Sequence, residues 1–158
     1  MLSSPEDGWT VFRPGSEKTA YSLSYLNDIA VEWLDQAIHG LKTMDTFSVH
    51  GFCEPGRMIC TVSYWNCYII FEGDGRDDVC ESVYTVHVSM IDFCKKLYAD
   101  IAGPLEEWVH WDDGMFEDEE DPAAAAEKRR KEILERLETL KGLIAEKEEE
   151  FAEDGCFI

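Results

Sequence analysis

Between residues 46 and 90 the chain adopts a two-residue rhythm, and that rhythm limits the folds open to it. Phe47, Val49 and Gly51 alternate with Ser48 and His50. After the turn Glu54-Pro55-Gly56, the residues Met58, Cys60, Val62 and Tyr64 alternate with Ile59, Thr61 and Ser63. Cys67, Ile69 and Phe71 then share one face, with Tyr68 and Ile70 on the other, and Tyr84, Val86, Val88 and Met90 close the series. Successive side chains of a strand point to opposite faces, so the pattern predicts strands. Trp65-Asn66 reads as a short connection or a bulge, and residues 73–78 as a loop. Three or four antiparallel strands joined as hairpins are expected.

The flanks follow a different period. Leu23, Leu26, Ile29, Ala30, Trp33, Leu34, Ala37, Ile38 and Leu41 recur at steps of three and four. This predicts an amphipathic helix over about 22–42, capped by Ser22 or Ser24. Residues 1–21, punctuated by Pro5, Gly8, Pro14 and Gly15, read as an irregular arm with one short strand around Trp9–Phe12. Ser89 followed by Asp92 resembles a helix start. Phe93, Cys94, Leu97, Tyr98 and Ile101 continue at helical spacing until Gly103-Pro104. A short helical turn should carry Trp108 and Trp111.

Beyond residue 116 the composition changes. Residues 117–158 hold 15 acidic and 7 basic residues and no Trp or Tyr. After the acidic run Glu117–Asp121, Pro122 suits the first turn of a helix from about 122 to 152, carrying Ile133, Leu137, Leu140, Ile144 and Phe151. The expected fold is α+β. An N-terminal helix packs on an antiparallel sheet of three to five strands, followed by a second helix and a long charged C-terminal helix. Residues 1–116 form a compact α+β domain. Residues 117–158 form an acidic linker and an amphipathic helix docked on the same domain, with homodimerisation through this helix as the alternative use of its stripe.

Charge narrows the partners. The chain carries 34 Asp+Glu against 14 Lys+Arg, a formal net charge of −20. A surface without clustered cations is a poor ligand for nucleic acid or for an anionic membrane, and suits a basic protein. No apolar run reaches the length of a bilayer span, and Met1–Asp7 lacks the pattern of a secretory signal. A cytosolic location is therefore expected, with the six cysteines reduced and mostly buried.

No local spacing carries recognisable catalytic chemistry. Cys53, Cys60 and Cys67 lie seven apart, unlike the tight ligand pairs of a zinc site, and on a strand that step alternates faces. Cys80 and His87, also seven apart, should face opposite ways, against a thiol–imidazole pair. The acids Glu72, Asp74, Asp77, Asp78 and Glu81 lack calcium-loop spacing and read as an acidic hairpin loop. Gly73-x-Gly75 leads into a strand, whereas phosphate-binding glycine motifs lead into a helix. No metal, cofactor or catalytic residue is assigned.

The chain resembles the small acidic immunity proteins of bacterial contact-dependent and other polymorphic toxin systems. The resemblance spans residues 20–113. It rests on a helix followed by a meander with Ser63-Tyr64-Trp65-Asn66, Ile69-Ile70-Phe71-Glu72-Gly73-Asp74 and Tyr84-Thr85-Val86-His87-Val88, then a helix with Phe93, Leu97 and Tyr98. It implies a cytosolic antidote that binds one cognate toxin, often a nuclease, and assigns no particular residue. Two acidic patches are the candidate contact residues. One is Asp74, Asp77, Asp78 and Glu81. The other is Glu106, Glu107, Asp112 and Asp113, interleaved with Trp108 and Trp111, which are either interface anchors or core. The competing expectations are a small cytosolic enzyme with a Cys/His/carboxylate pocket, and a phage or host regulator that mimics nucleic acid.

Overall fold

The computed structural model describes residues 1–15, 19–73, 82–111, 116 and 119–153. It is an α+β fold with a two-stranded and a four-stranded antiparallel sheet and four helices. The first sheet pairs β1 (Trp9–Phe12) with β2 (Tyr21–Ser24). Helix α1 (Ile29–Thr43) leads into the meander β3 (Phe47–Phe52), β4 (Arg57–Val62), β5 (Cys67–Glu72) and β6 (Ser82–Val86), which lie side by side in that order. Helices α2 (Met90–Ala102), α3 (Leu105–Val109) and α4 (Pro122–Glu153) complete the chain.

The first helix starts later than its apolar spacing predicts. Tyr21 and Leu23 also alternate with Ser22 and Ser24, and a strand partner was available, because Trp9 pairs with Ser24 and Phe12 with Tyr21. Pairing therefore takes residues 21–24 into a hairpin, and Leu26 is left 53% exposed in the turn. Asp28, not Ser22 or Ser24, caps α1, accepting from the Val31 N–H at 3.2 Å. At α2 the expected cap holds, with Ser89 Oγ accepting from the Asp92 N–H at 3.1 Å. The β3–β4 turn falls where Glu54-Pro55-Gly56 predicts it. Gly56 sits at φ 96° there, and a Cβ would lie 2.6 Å from the Glu72 carbonyl oxygen.

Register sorts the meander into two faces. Phe47, Val49, Met58, Cys60, Val62, Cys67, Ile69 and Val86 point into the core and are buried. Trp33 of α1 stands edge-on to Phe12, and Phe47 edge-on to Phe93 of α2, so aromatic contacts join the hairpin, the sheet and both helices. Phe47 lies so close to α1 that a Cβ at Gly40 would meet its ring at 2.1 Å. Leu23 and Tyr21 close the end of the core beside Gly51 and Phe71.

Helix α4 lies across α1, α2 and α3. Its stripe of Ile133, Leu137, Leu140 and Ile144 is buried there, while Phe151 is half-buried against Tyr64. In this fold those four side chains are not available to a second copy, because the neighbouring helices cover them. Arg129, with a side chain only 11% exposed, bonds Asp28 through both guanidinium nitrogens and reaches the Trp108 carbonyl oxygen.

Two measurements check this architecture. Leu140→Ala should cost about 3 kcal/mol in urea unfolding, and the transition should remain single if α4 belongs to the same cooperative unit. Arg129→Ala should cost about 2 kcal/mol, because Asp28 loses its partner and the Trp108 carbonyl loses a donor.

Candidate functional site

The outward face of the meander is built from the other half of each strand. One rung runs Ser48, Thr61, Tyr68, Thr85; the next runs His50, Ile59, Ile70; the last runs Phe52, Arg57, Glu72. Every one of these side chains is half-buried or exposed, with Tyr68 at 40%. Among the described residues no helix packs on this face. Its centre is apolar, through Ile59 and Ile70, with Phe52 and Tyr68 beside them. Ser48 and Thr61 hydroxyls bond each other at 2.9 Å, and Arg57 holds Glu72 at 2.9 and 2.5 Å.

At its β3 edge the face meets acid. A hollow of about 350 Å³ lies between α1 and β3, lined by Glu32, Asp35, Gln36, Ser48 and His50. Asp35 is shared with Arg136 of α4, and Glu32 accepts from the Asn27 amide. The His50 carbonyl, on the outer edge of β3, is taken by Trp33 Nε1 at 2.8 Å and Asn27 Nδ2 at 3.3 Å. Filling that acceptor blunts the strand edge against pairing with another chain, so the face and not the edge is offered.

The residues singled out from sequence divide three ways. Asp74, Asp77, Asp78, Glu81, Asp112 and Asp113 lie outside the described residues. Trp108 and Trp111 prove to be core: they are 0% and 1% exposed, stacked at 5.2 Å, with Trp108 Nε1 donating to the Asp100 carbonyl. They cannot serve as surface anchors, because α3 is short and both rings fill the space under α4. Glu106 and Glu107 are exposed, but Glu106 is committed to Arg130 at 2.8 and 2.6 Å. That guanidinium holds the Glu106 carboxyl below its ordinary range. The sheet face had a signal in sequence, namely apolar Ile59, Tyr68 and Ile70 on the side that a half-buried sheet would make polar. Tyr64 and Trp65 in the β4–β5 turn are also exposed, at 39% and 52%.

Three of the four described thiols are closed off from solvent. Cys60, Cys67 and Cys94 are all buried. A hydrogen bond to Cys67 together with burial raises the Cys60 thiol, and burial raises Cys94. Cys67 is lowered, first by its bond to Cys60 and then by the nearby Lys96 charge, but it is 1% exposed and directed at the Val88 carbonyl oxygen, 3.6 Å away. Among the described residues no group of three or more His, Cys, Asp or Glu is placed to hold a metal ion. No described helix is long and apolar enough to cross a membrane. A hollow of about 700 Å³ at the start of α4 is open and mixes Glu119, Glu120 and Asp121 with Lys128 and Arg129. Comparison with protein families, curated proteins and solved structures finds no match.

The Glu106–Arg130 pair gives a pH signature. A carboxyl lowered on folding stabilises the fold above its ordinary value of 4.5, and that contribution is lost as pH falls through the folded value. Carboxyl NMR titration should place the Glu106 midpoint below 4.5, and Arg130→Ala should return it to the ordinary range.

Proposed function

We propose that the chain is an acidic inhibitor, an immunity protein that neutralises a basic toxin domain in the cytosol by covering it with the outward face of the sheet. The observation that carries this reading is a sheet face that no described helix covers, with an apolar centre and an acidic hollow at its edge, on a chain of net charge −20. Apolar side chains at the middle of a face and charge at its margin match the division of labour in protein interfaces, where buried anchors supply affinity and peripheral charge supplies on-rate. A nuclease is a fitting target, because a protein that grips a polyanion must present cations. Carboxylates arriving first would be drawn to those cations and steered by them. Glu32 beside the face can serve in this way. Exposed Glu107 adds to this field, and Asp112 and Asp113 add to the net negative charge.

The test uses the product of the adjacent reading frame as partner. Purified chain and partner should form a one-to-one complex whose association slows steeply with salt, and the chain should abolish the partner's toxicity in cells. Ile70→Lys on the sheet face should weaken the complex about 100-fold, with little change in the melting temperature of the free chain, because Ile70 is only half-buried. Asp112→Lys with Asp113→Lys should lower the association rate and flatten its salt dependence. Undiminished binding by Ile70→Lys would remove the sheet face from the interface. Unchanged kinetics in the double reversal would remove the second acidic patch.

A further inference from the structure

A second hollow, of about 370 Å³, lies at the opposite edge of the meander, between β6, the arm after β1 and helix α2. Its walls include Arg13 and Pro14 from the arm, Thr85, His87 and Val88 from β6 and its continuation, and Lys96 from α2. In a chain with 34 acids and 14 Lys+Arg, none of the described lining residues is Asp or Glu. Five cations elsewhere on the molecule are paired across elements: Arg57 with Glu72, Lys95 with Glu148, Arg129 with Asp28, Arg130 with Glu106 and Arg136 with Asp35. Arg13 and Lys96, like the scattered Lys42, Lys128, Lys131 and Lys141, have no ion pair among the described residues, but these two share one hollow. The acids nearest Lys96 on its own helix are Asp92 and Asp100, one turn to either side. Asp100 is already taken by the Leu2 N–H at 2.7 Å.

We propose that this hollow binds a small phosphomonoester, its phosphate held between Arg13 and Lys96 with His87 beside them. Three elements bring these side chains together, so the cluster is a product of the fold and not of a local charge run. The guanidinium offers a planar donor fork for phosphate oxygens, and the ammonium a compact charge. His87 Nδ1 lies 2.7 Å from the Asn66 side-chain oxygen. That oxygen accepts, so Nδ1 carries the proton and Nε2 is left as an acceptor, suited to a hydroxyl of the organic part and not to a phosphate oxygen. A dianion matches two permanent cations better than a carboxylate does. The volume also exceeds what a bare phosphate occupies and falls at the lower end of small-molecule sites. Pro14, Val86 and Val88 provide an apolar wall for the carbon part of the ester. This site is separate from the sheet face, and the proposal stands whether or not the chain is an inhibitor.

Titration calorimetry of the full chain in low-chloride buffer tests it, with inorganic phosphate, ribose 5-phosphate and ribose as probes. Both phosphates should saturate, the ester more tightly, and ribose should give no heat. Arg13→Gln and Lys96→Gln should each weaken the ester about tenfold, with the melting temperature unchanged because both side chains are exposed. Amide chemical shifts of the unmodified chain provide a readout that needs no variant, and should move at residues 85–88 and 96. Failure to saturate by about 10 mM, unchanged affinity in the Arg13→Gln, Lys96→Gln double variant, or shifts confined to other regions would overturn the proposal. Inorganic phosphate binding as tightly as the ester would also overturn it, leaving an anion site without a place for the organic group.

Discussion

Arg129 is the residue on which the helical half of this molecule turns. Its guanidinium is nearly enclosed, so it must be matched by acceptors or the fold bears an unpaired charge in a low-dielectric setting. Asp28 provides the match from 101 residues away while also capping α1. The carboxylate therefore acts on two partners at once. It satisfies an orphan N–H at the positive end of α1, and it fixes where α4 crosses that helix. The Trp108 carbonyl joins the same guanidinium, which sets α3 and its buried indole against α4. Apolar burial supplies most of the energy of this packing. The ion pair decides its alignment.

That arrangement explains how so acidic a chain folds compactly. Helix α4 carries half of the Lys+Arg residues, and four of its charges reach acids or bases on other elements: Arg129 to Asp28, Arg130 to Glu106, Arg136 to Asp35, and Glu148 to Lys95. The exposed members of this set contribute little individually. Together they take cations that would otherwise be free at the surface and use them within the molecule. Pairing removes equal numbers of each sign, so the excess of acid stays on the rest of the surface. Lys147, held by Glu146 and Glu150, follows the same logic within the helix and explains how a charge fits the line of the apolar stripe.

The two helices α1 and α2 occupy one side of the meander, and α4 is spent on covering them. Among the described residues nothing comparable is left for the other side. A sheet with one covered face ordinarily carries polar residues outward. Here Ile59 and Ile70 make the middle rung largely apolar instead, and that is the physical basis for proposing the face as a partner site. The β6 edge has a different character, because the arm and α2 gather cations there while the β3 side gathers acids.

Much of the architecture was legible from period alone. The strand meander, the helix after Ser89 and the long helix after Pro122 each follow from hydrophobic spacing and a cap or turn residue, which are local properties of the chain. Residues 21–28 were not legible in this way. Tyr21 and Leu23 satisfy both periods, and only a pairing partner at Trp9–Phe12 decides between them. The role of the tryptophans was undecided for a related reason: Trp108 and Trp111 sit among acids in sequence, and whether such a ring is core or surface depends on which helix lies over it. The faces of the sheet could be listed from sequence, but not which face would be covered. The cationic hollow had no sequence signature at all, because Arg13, His87 and Lys96 are distant in the chain. Local chemistry thus determined the elements and the net charge, and tertiary packing determined which surfaces remain for a ligand, since burial depends on contacts between residues far apart in the chain.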